Sequence, residues 1–273
     1  MYVGFKLDYK EDNYFAENKE KGLPIYEKFK HQVKQQLDSF LSPEGSLDGT
    51  KMREDWFPLV EADIFISHSH NDEEKAIALA GWLFEEFNLT AFIDSCVWGY
   101  AGDLLKKIDK EYCWNEQSNT YDYLMRNYST SHVHMMLASA LTMMMDKTEC
   151  IFFLNSPSAI KTSDISSKTA SPWIYHELTM THLIQKKSPE QHRKLLSKGM
   201  QHKNFAESKQ LNITYDVNLS NLINLTYYDL LSWTVLTAAS NMEHPNLLIH
   251  PLDVLYKQKK AIKQPIGGIL LNE

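Results

Sequence analysis

The sequence predicts an α/β protein with a doubly wound parallel sheet. Three short apolar segments bounded by polar residues, at 62–67, 90–94 and 149–155, are typical of buried strands. Segments with the apolar spacing of helices follow them, either directly or after a loop. Strands that alternate with helices form parallel sheets, and ligands bind such sheets beyond the carboxyl ends of the strands.

Composition narrows the classes of function. The 273 residues include 43% apolar and 23% charged side chains, as in ordinary globular proteins. A formal net charge of -7 disfavours binding to nucleic acid or to an anionic membrane through a basic face. Because no run of about 18 apolar residues occurs, we expect no membrane span. Three cysteines without CxxC spacing disfavour a disulfide framework or a structural zinc site, so we expect a soluble, cytoplasmic protein.

The two ends of the chain are predicted to flank a main domain at 59–235. Residues 1–58 are interpreted as a helical N-terminal extension, and residues 236–273 as a helical C-terminal tail. In the extension, an amphipathic helix is expected to begin at Pro24, and the turn residues at 42–50 to connect it to the domain. The residues at helical spacing are Ile25, Phe29, Val33, Leu37 and Leu41.

The first two strands of the main domain lead into predicted helices. After the first strand, Asn71 and Glu74 have the spacing of a capping box at a helix start. Its apolar face is predicted to comprise Ala76, Leu79, Ala80, Leu83, Phe84 and Phe87. The second strand is expected to end in a loop at 95–102, with a helix from Asp103.

Further along, residues 112–128 are aromatic and polar without clean periodicity, and we interpret them as an insertion. A helix is predicted at 130–146. The polar and mostly basic segment 186–210 is typical of a solvated helix end and loop. Residues 211–217 and 222–228 are further strand candidates, with helices following to about residue 260.

The strand ends nominate residues that could contact a ligand. Ser67, His68 and Ser69 follow the first strand, where they could contact ribose or phosphate oxygens, although a serine there could equally cap the next turn. Asp94 ends the second strand. Trp98 lies in the predicted loop, either as a lid over the site or partly buried against the sheet.

Glu177 lies on the helix that follows the third strand. Ser171 is a natural N-cap for that helix, and Pro172 is a natural first residue. Trp173 and Glu177, four residues apart, share one helical face. Two interpretations stay open: the indole lines a pocket that receives the carboxylate, or the tryptophan packs in the core and the glutamate faces solvent.

Two histidine pairs suggest a metal site, but their spacing argues against one. His132 and His134 are two apart on a predicted helix and therefore point in different directions. His68 and His70 follow a strand, yet no acidic or cysteine ligand accompanies them locally. We expect no metal.

In the order of its motifs, the chain resembles the Toll/interleukin-1 receptor (TIR) domain. The resemblance covers roughly residues 61–185, with an acidic residue such as Asp72 or Glu73 at the first helix and 112–128 as an insertion. Matching segments are DIFISHS at 63–69, Asp94, the Gly102–Asp103 pair, Ser156 and SPWIYHEL at 171–178. The last segment matches the family pattern S-x-W-C-x-x-E-L, with Ile174 in place of the usual cysteine. The implied fold is flavodoxin-like.

The resemblance implies an enzyme that consumes NAD. In family members that are enzymes, the glutamate of this pattern cleaves the bond between nicotinamide and ribose, which implies Glu177 as the catalytic residue. Cleavage develops positive charge on the ribose, and a facing carboxylate stabilises that charge. Nicotinamide leaves a cationic pyridinium as a neutral molecule, so no second, acidic residue is required. NAD is then the substrate, and no cofactor is expected.

Bacterial relatives of this type commonly act in anti-phage immunity, as in Thoeris systems. The resemblance therefore implies a nucleotide signal, such as a cyclic ADP-ribose isomer or an ADP-ribose conjugate, that activates a separate effector protein. It also implies self-association through the domain. Two alternatives are a non-catalytic scaffold for signalling assemblies and an enzyme similar to nucleoside deoxyribosyltransferases.

Overall fold

The computed structural model describes residues 1–9, 15–29, 40–41, 47–162, 167–193, 215–216, 218–243 and 249–261. Its strands are β1 (Val3–Asp8), β2 (Ile64–Ser67), β3 (Ala91–Ile93), β4 (Trp114–Asn115), β5 (Thr120–Tyr121), β6 (Cys150–Asn155), β7 (Lys161–Thr162), β8 (Ser167–Thr169), β9 (Tyr215–Asp216) and β10 (Ile223–Leu225). Its helices are α1 (Lys19–Phe29), α2 (Gly49–Trp56), α3 (Glu73–Phe87), α4 (Ser95–Ile108), α5 (Tyr123–Lys147), α6 (Pro172–Leu183), α7 (Pro189–Arg193), α8 (Tyr227–Glu243) and α9 (Pro251–Gln258).

The fold is α/β, with a five-stranded parallel sheet flanked by helices. The strand order is β10-β1-β6-β2-β3, and every neighbouring pair is parallel. In the register, Ile66 pairs with Ile93 on one side and with Phe152 on the other. Strands β2, β3 and most of β6 are buried on both faces, which explains their nearly continuous apolar sequences. The three strands and the parallel sheet that the sequence predicts are confirmed.

The sheet includes a strand that the sequence analysis assigned to the N-terminal extension. Residues Val3–Asp8 form β1, which lies between β6 and β10. The segment VGFKLD was not recognised because Gly4, Lys6 and Asp8 interrupt its apolar residues. Only pairing with two distant strands makes it part of the sheet, and that pairing has no local sequence signal.

The helix near Pro24 also differs from its prediction. Helix α1 begins at Lys19 and contains Pro24 in its interior, rather than beginning at the proline. Ile25, Tyr26 and Phe29 are buried in the core. The predicted continuation through Val33 and Leu37 lies outside the described residues.

The predicted loop at 95–102 is wrong, because these residues form the first half of α4. Two glycines and mixed polarity suggested a loop. In the structure, the Asp94 carboxylate accepts a hydrogen bond from the Ser95 backbone N–H at 2.8 Å, which stabilises a helix start there. The buried residues then recur at helical spacing: Cys96, Val97, Tyr100, Ala101 and Leu104.

Helix α3 has the predicted position but not the predicted cap. A short 3-10 turn at His70–Asp72 precedes it, and Asp72 rather than Asn71 is the N-cap residue, without a capping hydrogen bond from its side chain. Phe84, predicted on the apolar face, is 44% exposed. The other predicted apolar residues of this helix are buried.

The predicted insertion is ordered. After a π-turn at Asp109–Cys113, the strands β4 and β5 form a small antiparallel hairpin, and α5 begins at Tyr123, earlier than the predicted helix at 130–146. Of the strand candidate at 211–217, only Tyr215–Asp216 is described, as β9 in a small antiparallel sheet with β8. The candidate at 222–228 contributes β10, and α7 interrupts the predicted polar loop.

The C-terminal helices pack against the main core. Trp233 of α8 and Leu252, Leu255 and Tyr256 of α9 are fully buried there. None of the helices in the described ranges has the length and apolarity needed to cross a bilayer.

Two glycines allow α1 and α3 to cross with their backbones in contact. A Cβ atom on Gly22 would lie 1.8 Å from the carbonyl oxygen of Ile77, and one on Gly81 would lie 2.1 Å from that of Asn18. Both distances are far inside van der Waals contact. This crossing fixes α1 against the helix that follows β2.

Replacing Gly81 by alanine is expected to lower the free energy of unfolding by roughly 1–3 kcal/mol, because the new methyl group overlaps backbone that cannot move alone. Urea denaturation of both proteins measures the difference. Gly49→Ala is the matched control, since its Cβ would meet only the flexible end of Met136 at 3.3 Å. An unchanged midpoint for Gly81→Ala would contradict this close crossing.

Candidate functional site

A group of buried polar side chains lies at the carboxyl ends of β2, β3 and β6. From β2 the chain continues to β3 on one side of the sheet, and it later forms β6 on the other side. In open α/β sheets, the crevice at such a reversal of strand order is where ligands bind. The site therefore has the location that the parallel sheet predicts.

Helix α6 places Glu177 in this group. The Ser171 hydroxyl accepts a hydrogen bond from the Ile174 N–H at 3.3 Å, and Pro172 is the first helical residue, so the predicted cap is confirmed. Glu177 is only 1% exposed. The Ser67 hydroxyl, at the end of β2, donates a hydrogen bond of 2.6 Å to Glu177 Oε2. The interpretation of Glu177 as a surface charge is therefore wrong.

Asp94, at the end of β3, lies between His68 and Glu177. Its carboxylate accepts the Ser95 N–H at 2.8 Å and, more weakly, the His68 N–H at 3.4 Å. It also contacts the Glu177 carboxyl group. The sequence nominated both acids but did not predict their contact, because no local signal reports the distance between a strand end and a later helix.

His68 is fully buried beside Asp94. Its Nδ1 atom lies against Asp94 Oδ1, which favours the tautomer that carries the proton on Nδ1. Its ring stacks on Trp98 of α4, with 5.2 Å between ring centroids and 13° between planes. Within the described part of the chain, His68 Nε2 and Trp98 Nε1 are both buried without a hydrogen-bond partner.

A second set of hydrogen bonds surrounds Asp72. The Ser69 hydroxyl donates to Asp72 Oδ2 at 2.6 Å, and Ser156, after β6, donates to the same oxygen. Lys75 lies 2.9 Å from Oδ1. From the sequence, Ser156 and Asp72 are expected only through the resemblance to TIR domains. In the structure their hydrogen bonds connect the ends of β2 and β6 to α3.

Burial controls the ionisation of the site. It raises the pKa of Glu177 well above its ordinary value, and the neighbouring Asp94 raises it further. Burial raises the pKa of Asp94 as well, but hydrogen bonds from His68, Glu177 and Ser95 favour its charged form. We therefore place the proton of the pair on Glu177. Burial lowers the pKa of His68 to about 4, so its imidazole is neutral at neutral pH.

Trp173, on the same helix as Glu177, is partly buried. Its ring makes an edge contact with His134 of α5, at 5.7 Å between centroids, and packs against the core. This contact holds α6 against α5. In the ranges that the structure covers, no three or more His, Cys, Asp or Glu side chains are arranged to hold a metal ion.

In comparisons with known proteins, no family model, curated protein or solved structure matches the chain.

The buried His68 is expected to make stability depend on pH. Its pKa is about 4 when folded and near 6.5 when unfolded, so the unfolded chain binds the proton first. As pH falls from 6.5 to 4, this residue alone should cost the folded state roughly 2–3 kcal/mol. Carboxyl groups whose pKa is raised in the folded state act in the opposite direction, because their contribution to the stability of the folded state falls as pH rises.

Comparison of the wild type with His68→Gln isolates the contribution of His68. Urea denaturation at several pH values should show a smaller loss of unfolding free energy on acidification for the variant. His132→Gln, at an exposed position on α5, is the control and should keep the wild-type slope. Equal slopes for His68→Gln and the wild type would show that His68 is not held neutral by burial.

Proposed function

We propose that this protein is a TIR-like enzyme that cleaves the bond between nicotinamide and ribose in NAD, with Glu177 as the catalytic carboxylate. One observation carries the proposal: Glu177 is buried at the carboxyl edge of the parallel sheet, hydrogen-bonded to Ser67 and touching Asp94. The motif order from DIFISHS to SPWIYHEL supports the same assignment.

The strand order supports a variant of the flavodoxin-like fold. Strands β3, β2 and β6 have the neighbour order of the second, first and third strands of that fold. The next position would belong to a strand that follows β6 in the chain. In this protein the N-terminal β1 occupies that position, and β10 takes the edge.

The chemistry of the site suits a substrate with a cationic leaving group. As the bond breaks, nicotinamide takes the bonding electrons and becomes neutral, while positive charge develops on the ribose carbon. A carboxylate at Glu177 stabilises that charge in a site with little water. The Ser67 hydroxyl orients the carboxylate. Water or a hydroxyl group of the same molecule then attacks the ribose carbon and loses its proton to solvent, which gives ADP-ribose or a cyclic product.

Substrate binding has to open the site and ionise Glu177. At 1% exposure Glu177 cannot touch a ligand until neighbouring side chains move. Trp98 is only partly buried and stacks on His68, so its ring is the one that we propose moves. A bound pyridinium ring brings a positive charge close to the carboxyl pair. That charge lowers the pKa of Glu177 and so favours the catalytic form.

The cellular role that follows is production of a nucleotide signal in anti-phage defence, read by a separate effector protein. Self-association through the TIR-like domain belongs to this proposal, because it offers a second chain to cover the site. The exposed aromatic residues of the hairpin and of the start of α5 are available for contacts of this kind: Tyr112, Trp114, Tyr121, Tyr123 and Tyr128.

Glu177→Gln is expected to lower kcat/KM for NAD cleavage by roughly 10³-fold, because an amide cannot oppose the charge on the ribose. Nicotinamide release measured by chromatography is the assay. The variant should remain folded, since glutamine matches the shape of a protonated glutamate. Glu116→Gln, at an exposed position, is the matched control. Equal cleavage by Glu177→Gln and the wild type would remove Glu177 from the mechanism.

The pH dependence of kcat/KM is expected to report the raised pKa of Glu177. The ionised form is the active one, so activity should rise with pH and level off above that pKa. The midpoint should lie clearly above 4.5, the ordinary value for a glutamate. Initial rates at low NAD concentration across the acidic and neutral range test this. Activity that falls as pH rises through this range would contradict a catalytic carboxylate.

The contact between Glu177 and Asp94 favours one alternative, a nucleoside N-glycosidase or deoxyribosyltransferase-like enzyme. A neutral base needs a proton to leave, and a protonated carboxyl beside a carboxylate can supply both an acid and a nucleophile. Cleavage of free nucleosides but not of NAD would select this reaction. A protein inactive on both substrate classes would be assigned to the scaffold class.

A further inference from the structure

We propose that Asp94 is a positioning residue that shares one proton with Glu177, and thereby sets the pH at which Glu177 becomes charged. The inference rests on the proposed function for its catalytic consequence. Its physical basis is geometric. Both carboxyl groups are buried, and the adjacent residues Ser67 and His68 hold them together, since Ser67 donates to Glu177 and the His68 N–H donates to Asp94.

The hydrogen bonds around the pair are unequal. Asp94 receives two backbone N–H groups, from Ser95 at 2.8 Å and from His68 at 3.4 Å, and its Oδ1 atom also touches the His68 ring. Glu177 receives one hydroxyl, from Ser67 at 2.6 Å. In the part of the chain that the structure covers, Glu177 Oε1 has no hydrogen bond of regular geometry. The negative charge is therefore better solvated on Asp94, and the proton stays on Glu177.

Other charged groups near the pair do not neutralise it. Glu73 and Asp72, on the side of α3, add negative potential at His68, and Glu73 also acts on Asp94. Lys75 is directed to Asp72, at 2.9 Å. Tyr26 of α1 contacts Glu73 and lies 3.5 Å from the Ser95 hydroxyl. Two full negative charges on Asp94 and Glu177 would repel each other in this environment, so one proton is retained.

The retained proton delays the ionisation of Glu177. Glu177 becomes charged only when the pair loses its second proton, and the negative charge on Asp94 raises the pH at which that loss occurs. Asp94 itself does not touch the substrate in this scheme.

The pair can be tested without any substrate. In unliganded wild-type protein labelled with ¹³C at aspartate and glutamate carboxyl groups, the signals of Asp94 and Glu177 should each respond at two pH steps, because coupled acids titrate together. Glu177→Gln and Asp94→Asn assign the two signals. A single step for each signal, at unrelated pH values, would overturn the proposal.

Asp94→Asn gives the second test. With the neighbouring negative charge removed, the pKa of Glu177 should fall, both in the carbon signal and in the low-pH limb of kcat/KM. A merely structural role for Asp94 would lower activity at every pH and leave the midpoint in place, which would overturn the proposal. Asp109→Asn is the matched control, because Asp109 is also buried but pairs with Arg126 and Ser129.

The control site lies at the other end of α4, about 20 Å from Asp94 along the helix axis. Asp109→Asn should leave both midpoints unchanged. The two tests distinguish failure of the proposed function from failure of the shared proton. If wild-type protein cleaves no NAD, the proposed function and the catalytic role of Asp94 are both wrong. The carbon titration still decides whether the two acids share a proton.

Discussion

The site depends on how this fold compensates the burial of two carboxyl groups. A charged carboxylate removed from water without hydrogen bonds costs far more free energy than a protein of this size can spare. Asp94 meets this cost with backbone N–H groups at the start of α4, and Glu177 meets it with the Ser67 hydroxyl and a retained proton. The start of α4 directly after β3 is therefore as important to the site as the glutamate itself.

These compensating groups come from several elements, so the site is a property of the whole sheet. Ser67 ends β2 and His68 follows it, Asp94 follows β3, and Glu177 is on α6. Parallel pairing aligns the ends of β2, β3 and β6 at one edge, and the close crossing of α1 and α3 holds the helix after β2 in place. A shift of one strand would break hydrogen bonds at several of these residues at once.

The structure is that of a closed site. Glu177 is covered and burial raises its pKa, burial keeps His68 neutral at neutral pH, and His68 stacks on Trp98 beside them. Under the proposed function, catalysis needs two linked changes: opening of the cover and ionisation of Glu177. A cationic substrate favours both, whereas a neutral one supplies no charge to draw the proton away. Under the same proposal, this linkage is what selects pyridinium nucleotides with few direct contacts.

The sequence by itself determined the elements whose signals are local. Continuous apolar segments predicted β2, β3 and β6, and Ser171 with Pro172 predicted the start of α6, because burial on both faces and capping act within a few residues. It also nominated Ser67, His68 and Asp94 from their positions at strand ends, and Glu177 from its place on the helix after the third strand. Only the tertiary structure decided that β1 belongs to the sheet, that residues 95–102 are helical, and that Asp94 touches Glu177. Each of these depends on contacts between residues far apart in the chain, and the free energy of such contacts cannot be inferred from any single segment.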